Sequence, residues 1–300
     1  MGTPRTAFVL AGGGSLGAVE VGMLQALVER GIAPDLVVGA SVGAINGAYF
    51  AGRPDRTGVE SLVAIWRDLR RDDVFPLGLL GGFLGFIGRR PHLLAPDRLR
   101  ALLERHLAFA RLEEAKVSCH VVATDVLSGE EVCLSSGPAV ESVLASAAIP
   151  AIFPPVRIAD RQLSDGALAS NTPLSAALGL GAERLIVLPT GFSCTLKHPP
   201  RSSLGMALHA VNLLTTRQLV VDIDRFCSTA EIVVVPPLCP LNVSSGDFSH
   251  SAKLIDRAAK STRQWLDGGG LSIRQVPGAL RPHTHQKRGA TGGMPGQSAA

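Results

Sequence analysis

A serine near the start of the chain has neighbours that would hold its hydroxyl in an exposed position. Residues 36–46 begin with an apolar, β-branched run, which leads into a turn that consists of Gly39, Ala40, Ser41, Val42 and Gly43. This order predicts a strand, a sharp turn and a helix, with small residues where strand and helix nearly touch. A serine hydroxyl on such a support becomes a nucleophile when a base removes its proton. Because glycine is 33 of 300 residues, the match also arises by chance, and its meaning depends on the rest of the chain.

A second glycine-rich turn lies one strand earlier. Residues 5–11 form an apolar run, which is followed by Gly12, Gly13, Gly14, Ser15, Leu16 and Gly17. The next segment repeats apolar residues at helical spacing, so this turn is also predicted to join a strand to a helix. Backbone N–H groups converge in such a turn, and the positive end of the helix dipole lies behind them. The turn is therefore predicted to bind an anion.

The spelling of this turn, G-x-G-x-x-G, also fits dinucleotide-binding proteins. That motif requires an acidic residue at the far end of the following strand, where it holds a ribose. Here Asp35 precedes the strand, and the Ser41 turn follows it. A nucleotide-binding protein is therefore the weaker alternative.

An irregular segment, residues 146–173, supplies an acidic residue. It contains four prolines and almost no periodicity, so we expect a loop rather than regular structure. A long apolar segment of this kind inside a compact chain is more often functional than idle. Near its end, Asp165 precedes Gly166 and Ala167, which predicts a carboxylate on a tight turn.

Apolar runs that alternate with helical patterns organise the chain around these turns. The runs at 6–11, 36–40, 118–124, 185–189 and 232–236 predict strands that are covered on both faces. They indicate an α/β protein with one mainly parallel sheet between helical layers. In such a sheet the two turns emerge at the same edge, where open α/β sheets build their sites. We expect residues 1–277 to form a single domain and residues 278–300 a disordered tail.

Charge and cysteine usage narrow the partners. The formal net charge is +4, and three of the positive charges (Arg281, Lys287 and Arg288) lie in the last twenty residues, which contain no acid, so we expect no nucleic-acid partner. The cysteines are scattered, odd in number and never at metal-ligand spacing, which favours reduced thiols, no metal and no cofactor. They are Cys119, Cys133, Cys194, Cys227 and Cys239. The histidines near the C-terminus are interpreted as part of the solvated tail.

The membrane relationship depends on one apolar segment. The N-terminus lacks the pattern of a signal peptide, and no stretch is long enough for a transmembrane helix, so we expect a cytoplasmic protein. Residues 75–88, which begin with Phe75 and end with Gly88, are apolar and glycine-rich, but they are shorter than the ~20 residues that span a bilayer. This segment is interpreted either as a buried loop or as a lid that makes transient contact with a membrane surface.

Taken in order, four stretches resemble the patatin-like phospholipase family. They are GGGSLG with the helix after it, GASVG, SAAIPAIFPPV and DGALASNTP, and the resemblance extends over most of residues 5–240. It implies a three-layer α/β/α patatin-like fold and a Ser-Asp dyad that hydrolyses lipid acyl esters. By motif position it makes Ser41 the nucleophile, Asp165 the general base and residues 12–14 the oxyanion loop. Many family members carry Arg or Lys where this chain has Leu16.

The main hypothesis is therefore a serine lipid acyl hydrolase of the phospholipase A or lysophospholipase type, which works through an acyl-enzyme intermediate. None of the eight histidines falls in a motif, which suits a dyad better than a Ser-His-Asp triad. The alternative is a protein of the same fold that binds lipid or transfers acyl groups with little hydrolysis.

Overall fold

One eight-stranded sheet organises the computed structural model, which describes residues 4–75, 94–196, 198–200, 203–283 and 285. Its strands are β1 (Thr6–Leu10), β2 (Leu36–Ala40), β3 (Ser118–Asp125), β4 (Glu131–Leu134), β5 (Val156–Ile158), β6 (Arg161–Asp165), β7 (Arg184–Leu188) and β8 (Glu231–Val234). Followed from one hydrogen-bonded neighbour to the next, the strands connect as β5-β6-β3-β2-β1-β7-β8, and β4 also pairs with β3. Strands β3, β2, β1, β7 and β8 are parallel, whereas β4, β5 and β6 pair antiparallel. The mainly parallel sheet expected from the sequence is confirmed.

Helices cover both faces of this sheet. They are α1 (Gly17–Glu29), α2 (Val42–Gly52), α3 (Arg56–Asp68), α4 (Arg71–Val74), α5 (Asp97–His106), α6 (Ala139–Ser146), α7 (Ala167–Ser170), α8 (Leu174–Gly179), α9 (Ser203–Phe226) and α10 (Ser251–Asp267). Alternate residues of β1 show the two layers: Phe8 and Leu10 pack with α1, α2, α3 and α10, while Ala7 and Val9 pack with α8 and α9. Strands with apolar residues on both faces need such cover. The three-layer α/β/α fold is therefore confirmed.

The segment predicted as an irregular loop contains a short hairpin. Strands β5 and β6 pair antiparallel within residues 156–165, and α7 follows directly. The ladder of β3 shows where the hairpin lies: β2 pairs with residues up to Val122, and β6 pairs from Ala123 onward. Because β4 pairs with residues in both of these regions, β2 and β6 lie on the same edge of β3. The end of β6 is thereby brought beside the end of β2.

Two predicted segments meet the limits of the described residues. Apart from Phe75, whose ring stacks on Phe153 with centroids 5.8 Å apart, the predicted lid at residues 75–88 lies outside them. The chain keeps regular structure beyond residue 277, since Gly278–Leu280 form a 3-10 turn and Leu280 is buried. Gly278–Leu280 were predicted to belong to the tail, but an apolar side chain anchors this turn on the α9 side of the sheet. Within the described part, no helix is both long and apolar enough to cross a membrane.

Candidate active site

Ser41 lies at a strained turn between β2 and α2. Its backbone has φ 54° and ψ −124°, a conformation that is rare for a residue with a side chain. The glycines on either side permit this geometry: a Cβ on Gly39 would lie 2.4 Å from the carbonyl oxygen of Gly43, and a Cβ on Gly43 would lie 2.4 Å from that of Leu10. The predicted strand, sharp turn and helix are therefore present, with Ala40 ending the strand and Val42 beginning the helix.

Asp165 contacts the Ser41 hydroxyl directly. The Ser41 Oγ donates a hydrogen bond of 2.7 Å to Asp165 Oδ2, although the two residues are 124 positions apart. The other carboxylate oxygen, Oδ1, accepts a 2.8 Å bond from the Ala167 amide. Asp165 is the last residue of β6, and Gly166 follows where a Cβ would lie 2.2 Å from the Val122 carbonyl oxygen. Both oxygens of the carboxylate are thus held in place, and one faces the serine.

Two further polar side chains fix the backbone of this pair. The Ser146 hydroxyl accepts a 2.8 Å bond from the Ser41 amide and donates to the Val122 carbonyl. The Thr124 hydroxyl donates to the Asp165 carbonyl at 2.8 Å. All of these groups are buried. Ser146 opens the SAAIPAIFPPV passage, so the motif could have indicated it, whereas nothing in the sequence pattern around Thr124 did.

Burial changes the proton affinity of Asp165. The carboxyl group is removed from water, which raises its pKa from 3.8 to about 6, although the hydrogen bonds from Ala167 and Ser41 oppose the shift. Desolvation disfavours the charged form of an acid, so burial exceeds the two hydrogen bonds here. The group is therefore mostly ionised at neutral pH but a stronger base than an exposed aspartate.

The glycine turn contributes free N–H donors beside Ser41. Four of the six predicted anion-binding residues, Gly12, Ser15, Leu16 and Gly17, donate their amides to backbone carbonyls. The amides of Gly13 and Gly14 have no acceptor among the described residues. Gly12 approaches Ser41 closely, since a Cβ on Gly12 would lie 3.2 Å from the Ser41 Cβ. Of residues 12–17, which were predicted to bind an anion, Gly13 and Gly14 are therefore the ones whose amides have no acceptor within the described part of the chain.

The loops after β7 and β8 hold this turn from behind. The Thr190 hydroxyl donates a 2.8 Å bond to the Gly12 carbonyl oxygen, and the Ser15 amide donates a 2.8 Å bond to that of Ser245. Gly14 has φ +58°, and a Cβ there would lie 2.4 Å from the Ser245 oxygen. Because the surrounding loops leave no room for a side chain, the free amides are fixed in one orientation.

A buried polar chain ties the helices beneath the turn. Asn46 donates to the Gly17 carbonyl at 3.1 Å and to Glu20 Oε2 at 2.9 Å, and it accepts a 2.9 Å bond from the Trp66 indole. Burial raises the pKa of Glu20 well above its usual value, although the hydrogen bond from Asn46 opposes the shift. Leu16 is fully buried in the core beside these helices. At the position where many family members have Arg or Lys, this chain therefore has a leucine that packs in the core beneath the turn.

Ser41 borders two apolar spaces. One is a cavity of about 80 Å³ between α2, α3 and α5, with walls that include Ile45, Leu62 and Leu103. The other is a cleft of about 320 Å³, which is lined by Gly13, Gly14 and Asp165 and extends to α9. Leu168 and Val211 line this cleft and are 54% and 40% exposed, so its rim is apolar as well. Apolar walls therefore lie on either side of the hydroxyl.

The acidic residue that nucleotide binding would require serves a different purpose. Asp35 accepts a 2.7 Å bond from the Thr6 amide at the start of β1, which is the opposite end of the sheet from the glycine turn. A carboxylate there cannot reach a ribose at the carboxyl ends of the strands. The geometry does not support the dinucleotide interpretation.

Family comparison agrees with the motifs on these strands. The sequence matches the patatin-like phospholipase family over residues 8–178, which is more than half of the chain. The chain therefore belongs to the patatin-like phospholipase family. The match includes the glycine turn, Ser41 and Asp165.

Curated relatives share the same region. An uncharacterized NTE family protein of Mycobacterium tuberculosis is 29% identical over 188 residues, which cover 62% of this chain and 49% of the relative. Patatin-like phospholipase domain-containing protein ZK370.4 of Caenorhabditis elegans is 31% identical over 195 residues, 61% of this chain and 13% of that protein. The chain thus spans about half the length of this mycobacterial relative and much less of the animal one.

Among solved structures, partial similarity extends to VipD from Legionella pneumophila, with 15% identity over 89% of this chain and 67% of that chain and a TM-score of 0.46. Human GIVD cytosolic phospholipase A2, in complex with methyl gamma-linolenyl fluorophosphonate, has 14% identity over 90% of this chain and 59% of that chain, with a TM-score of 0.45. Likeness at this level carries no information on function.

Proposed function

We propose that the chain is a serine-dependent lipid acyl hydrolase of the phospholipase A or lysophospholipase type. The observation that carries the proposal is the 2.7 Å hydrogen bond from Ser41 Oγ to the buried Asp165 carboxylate, beside two apolar spaces. A nucleophile, a base within reach and adjacent backbone donors are the parts that acyl transfer requires. Membership of the patatin-like phospholipase family supports the same chemistry.

In the proposed first step, Ser41 Oγ attacks the carbonyl carbon of the ester while its proton moves to Asp165 Oδ2. The carbonyl oxygen becomes an oxyanion, which the amides of Gly13 and Gly14 stabilise. Such donors matter most when charge develops, and losing one typically lowers the rate about 10²–10³-fold. Asp165 then gives its proton to the departing alcohol oxygen as the ester bond breaks, which leaves the acyl group on Ser41.

The second step reverses these roles. A water molecule takes the place of the alcohol, Asp165 accepts one of its protons, and the resulting hydroxyl attacks the acyl carbon. The collapse of this intermediate returns the proton from Asp165 to Ser41 Oγ and releases a carboxylic acid. The balance is one ester and one water for one alcohol and one acid, and the dyad ends in its starting state.

The apolar spaces beside Ser41 support a lipid substrate. An acyl chain gains about 0.8 kcal/mol for each methylene that it transfers from water into such a site. The exposed Leu168 and Val211 at the cleft rim would face a lipid aggregate while the ester reaches the serine. The proposal includes transient contact of residues 75–88 with a membrane surface. It also includes a single catalytic domain that contains the whole sheet.

A fluorophosphonate probe tests the nucleophile. We expect labelling of the wild type and of Ser61→Ala, a matched change on the exposed face of α3, and no labelling of Ser41→Ala. Mass spectrometry of a mixed-lipid extract should show that the wild type releases free fatty acid and that Ser41→Ala does not. Equal labelling of wild type and Ser41→Ala would contradict the proposal, and labelling without release of fatty acid would favour the acyl-transfer or lipid-binding alternative.

A further inference from the structure

Four metal-ligating side chains converge at the outer end of the sheet. Cys194 follows β7, Cys239 follows β8, and His283 and His285 lie just beyond the turn at Gly278–Leu280. Their ligand atoms all lie within 4.8 Å of one another. We propose that these four residues bind one Zn²⁺ ion in a structural Cys₂His₂ site.

The distances between the ligand atoms fit a tetrahedral zinc ion. With Zn–S near 2.3 Å and Zn–N near 2.05 Å, a tetrahedron requires S···S of about 3.8 Å, S···N of about 3.6 Å and N···N of about 3.3 Å. The two Sγ atoms are 4.0 Å apart, and the two Nε2 atoms are 3.0 Å apart. The S···N distances are 3.4 Å from Cys194 to His285, 3.2 Å from Cys239 to His283 and 3.3 Å from Cys239 to His285. Five of the six spacings lie within about 0.4 Å of these tetrahedral values. The sixth, between Cys194 and His283, is at most 4.8 Å, so a metal ion fits at the centre once this pair draws closer.

The surrounding hydrogen bonds prepare two of the ligands. The Nδ1 atom of His283 lies 2.7 Å from the Arg281 carbonyl oxygen, which can only accept, so Nδ1 carries the proton. In the neutral ring Nε2 then has a free lone pair, and this atom faces Cys239. The Leu241 amide donates to Cys194 Sγ at 3.3 Å, which stabilises a thiolate there. Outer hydrogen bonds of this kind orient ligands in metal sites.

A disulfide explains the cluster less well. The sulfur atoms are about twice as far apart as a disulfide bond of ~2.0 Å requires. A disulfide also would not explain why both imidazole Nε2 atoms face the sulfurs. Two thiolates and two imidazoles in a tetrahedron are a typical zinc set, whereas calcium and magnesium take oxygen ligands. The donor set therefore selects zinc.

The proposed ion would join the C-terminal segment to the two loops that support the glycine turn. The loop with Cys194 also contains Thr190, which bonds Gly12, and the loop with Cys239 continues to Ser245, which bonds Ser15. The Thr195 amide donates to the Leu241 carbonyl at 3.0 Å, so the two loops already touch. A metal here would fasten both loops to the C-terminal segment. The proposal departs from the sequence-based expectation of no metal and a solvated histidine tail, because the fold brings each cysteine beside histidines that lie 44 to 91 positions away.

The test measures zinc in the full chain, produced without a histidine tag in reducing buffer. We expect one zinc per chain in the wild type and in Cys227→Ser, a matched change at an exposed cysteine outside the cluster. Cys194→Ser, Cys239→Ser and His285→Gln should bind zinc at least about 100-fold more weakly in competition with a chromophoric chelator. His285 is exposed, so its replacement should leave the chain folded.

Cobalt substitution supplies a second readout. Wild type loaded with Co²⁺ should show a thiolate-to-cobalt charge-transfer band and tetrahedral d–d bands, and the double Cys194→Ser, Cys239→Ser variant should lose the charge-transfer band. The proposal is overturned if the wild type takes up no zinc on dialysis against it, if the cysteine variants bind zinc as tightly as the wild type, or if the cobalt protein lacks the thiolate band.

Discussion

Replacing Asp165 by asparagine should abolish most hydrolysis and stabilise the fold. The two side chains have nearly the same shape, so the asparagine can keep the bond from the Ala167 amide while it removes the base. Loss of a general base typically lowers kcat about 10²–10⁴-fold. The gain in stability follows from the pKa of Asp165, which burial raises from 3.8 to about 6.

The size and pH dependence of that gain can be worked out. One pKa unit corresponds to about 1.4 kcal/mol, so keeping this carboxylate ionised lowers the free energy of unfolding by about 3 kcal/mol above pH 6. Below about pH 4 both the folded and the unfolded states are protonated, and the penalty disappears. The advantage of Asp165→Asn should therefore grow from near zero at about pH 4 to about 3 kcal/mol at about pH 8. Glu20 is present in both proteins, so its own titration cancels.

Urea unfolding of wild type and variant across this pH range measures the difference. Asp160→Asn, at an exposed position in the turn between β5 and β6, is the control for the same chemical change away from the site. The wild-type kcat/KM should rise with pH through about 6 and then level off, because the base must be ionised. A stability difference that does not change with pH, or a variant with near wild-type kcat, would refute the reasoning about Asp165.

Two further predictions concern the walls of the site. Thr190→Val removes the hydrogen bond to the Gly12 carbonyl and should lower both kcat and the free energy of unfolding, the latter by about 1 kcal/mol. Thr190→Ser keeps the hydroxyl and should have the kcat and the stability of the wild type. Equal behaviour of the two variants in urea unfolding and ester hydrolysis would contradict a role for this bond. Ile45→Trp narrows the cavity beside Ser41 and should shift hydrolysis toward shorter acyl esters, as measured by kcat/KM over a chain-length series; an unchanged preference would place the acyl chain elsewhere.

The parts of the site that depend on local geometry were predictable from the sequence. The turns at Gly12 and Ser41 each follow an apolar strand and precede a helix. Their glycines lie where a Cβ would meet a backbone oxygen at 2.4 Å or a neighbouring side chain. A one-dimensional pattern is enough for the Ser41 turn because the atoms nearest to Gly39 and Gly43 belong to the turn itself or to the end of β1. The Gly12 turn also depends on distant loops, which contribute Asn171, Thr190 and Ser245. Their common edge follows from parallel pairing of β1 and β2.

The parts that depend on distant pairing were not predictable in the same way. Residues 146–173 contain four prolines, so their sequence does not indicate the β5–β6 hairpin. This hairpin nevertheless places Asp165 on the same edge of β3 as β2, directly beyond the point where β2 stops pairing. The choice between Gly12, Gly13 and Gly14 as donors required knowledge of which amides already have acceptors. The cluster of Cys194, Cys239 and two histidines depends on loops that meet only after the sheet has formed.

Burial of Asp165 links the stability of the fold to the strength of the base. A carboxylate with the ordinary pKa of 3.8 would be fully ionised at neutral pH but would accept a proton from serine only weakly. Raising the pKa to about 6 makes it about 100-fold more basic, while about nine in ten molecules stay ionised at pH 7. A base is most effective when its pKa lies just below the working pH, because proton affinity and ionised fraction are then both high. The free energy that the fold loses by burying this charge is therefore the same quantity that would enable a dyad without histidine to remove the proton from Ser41.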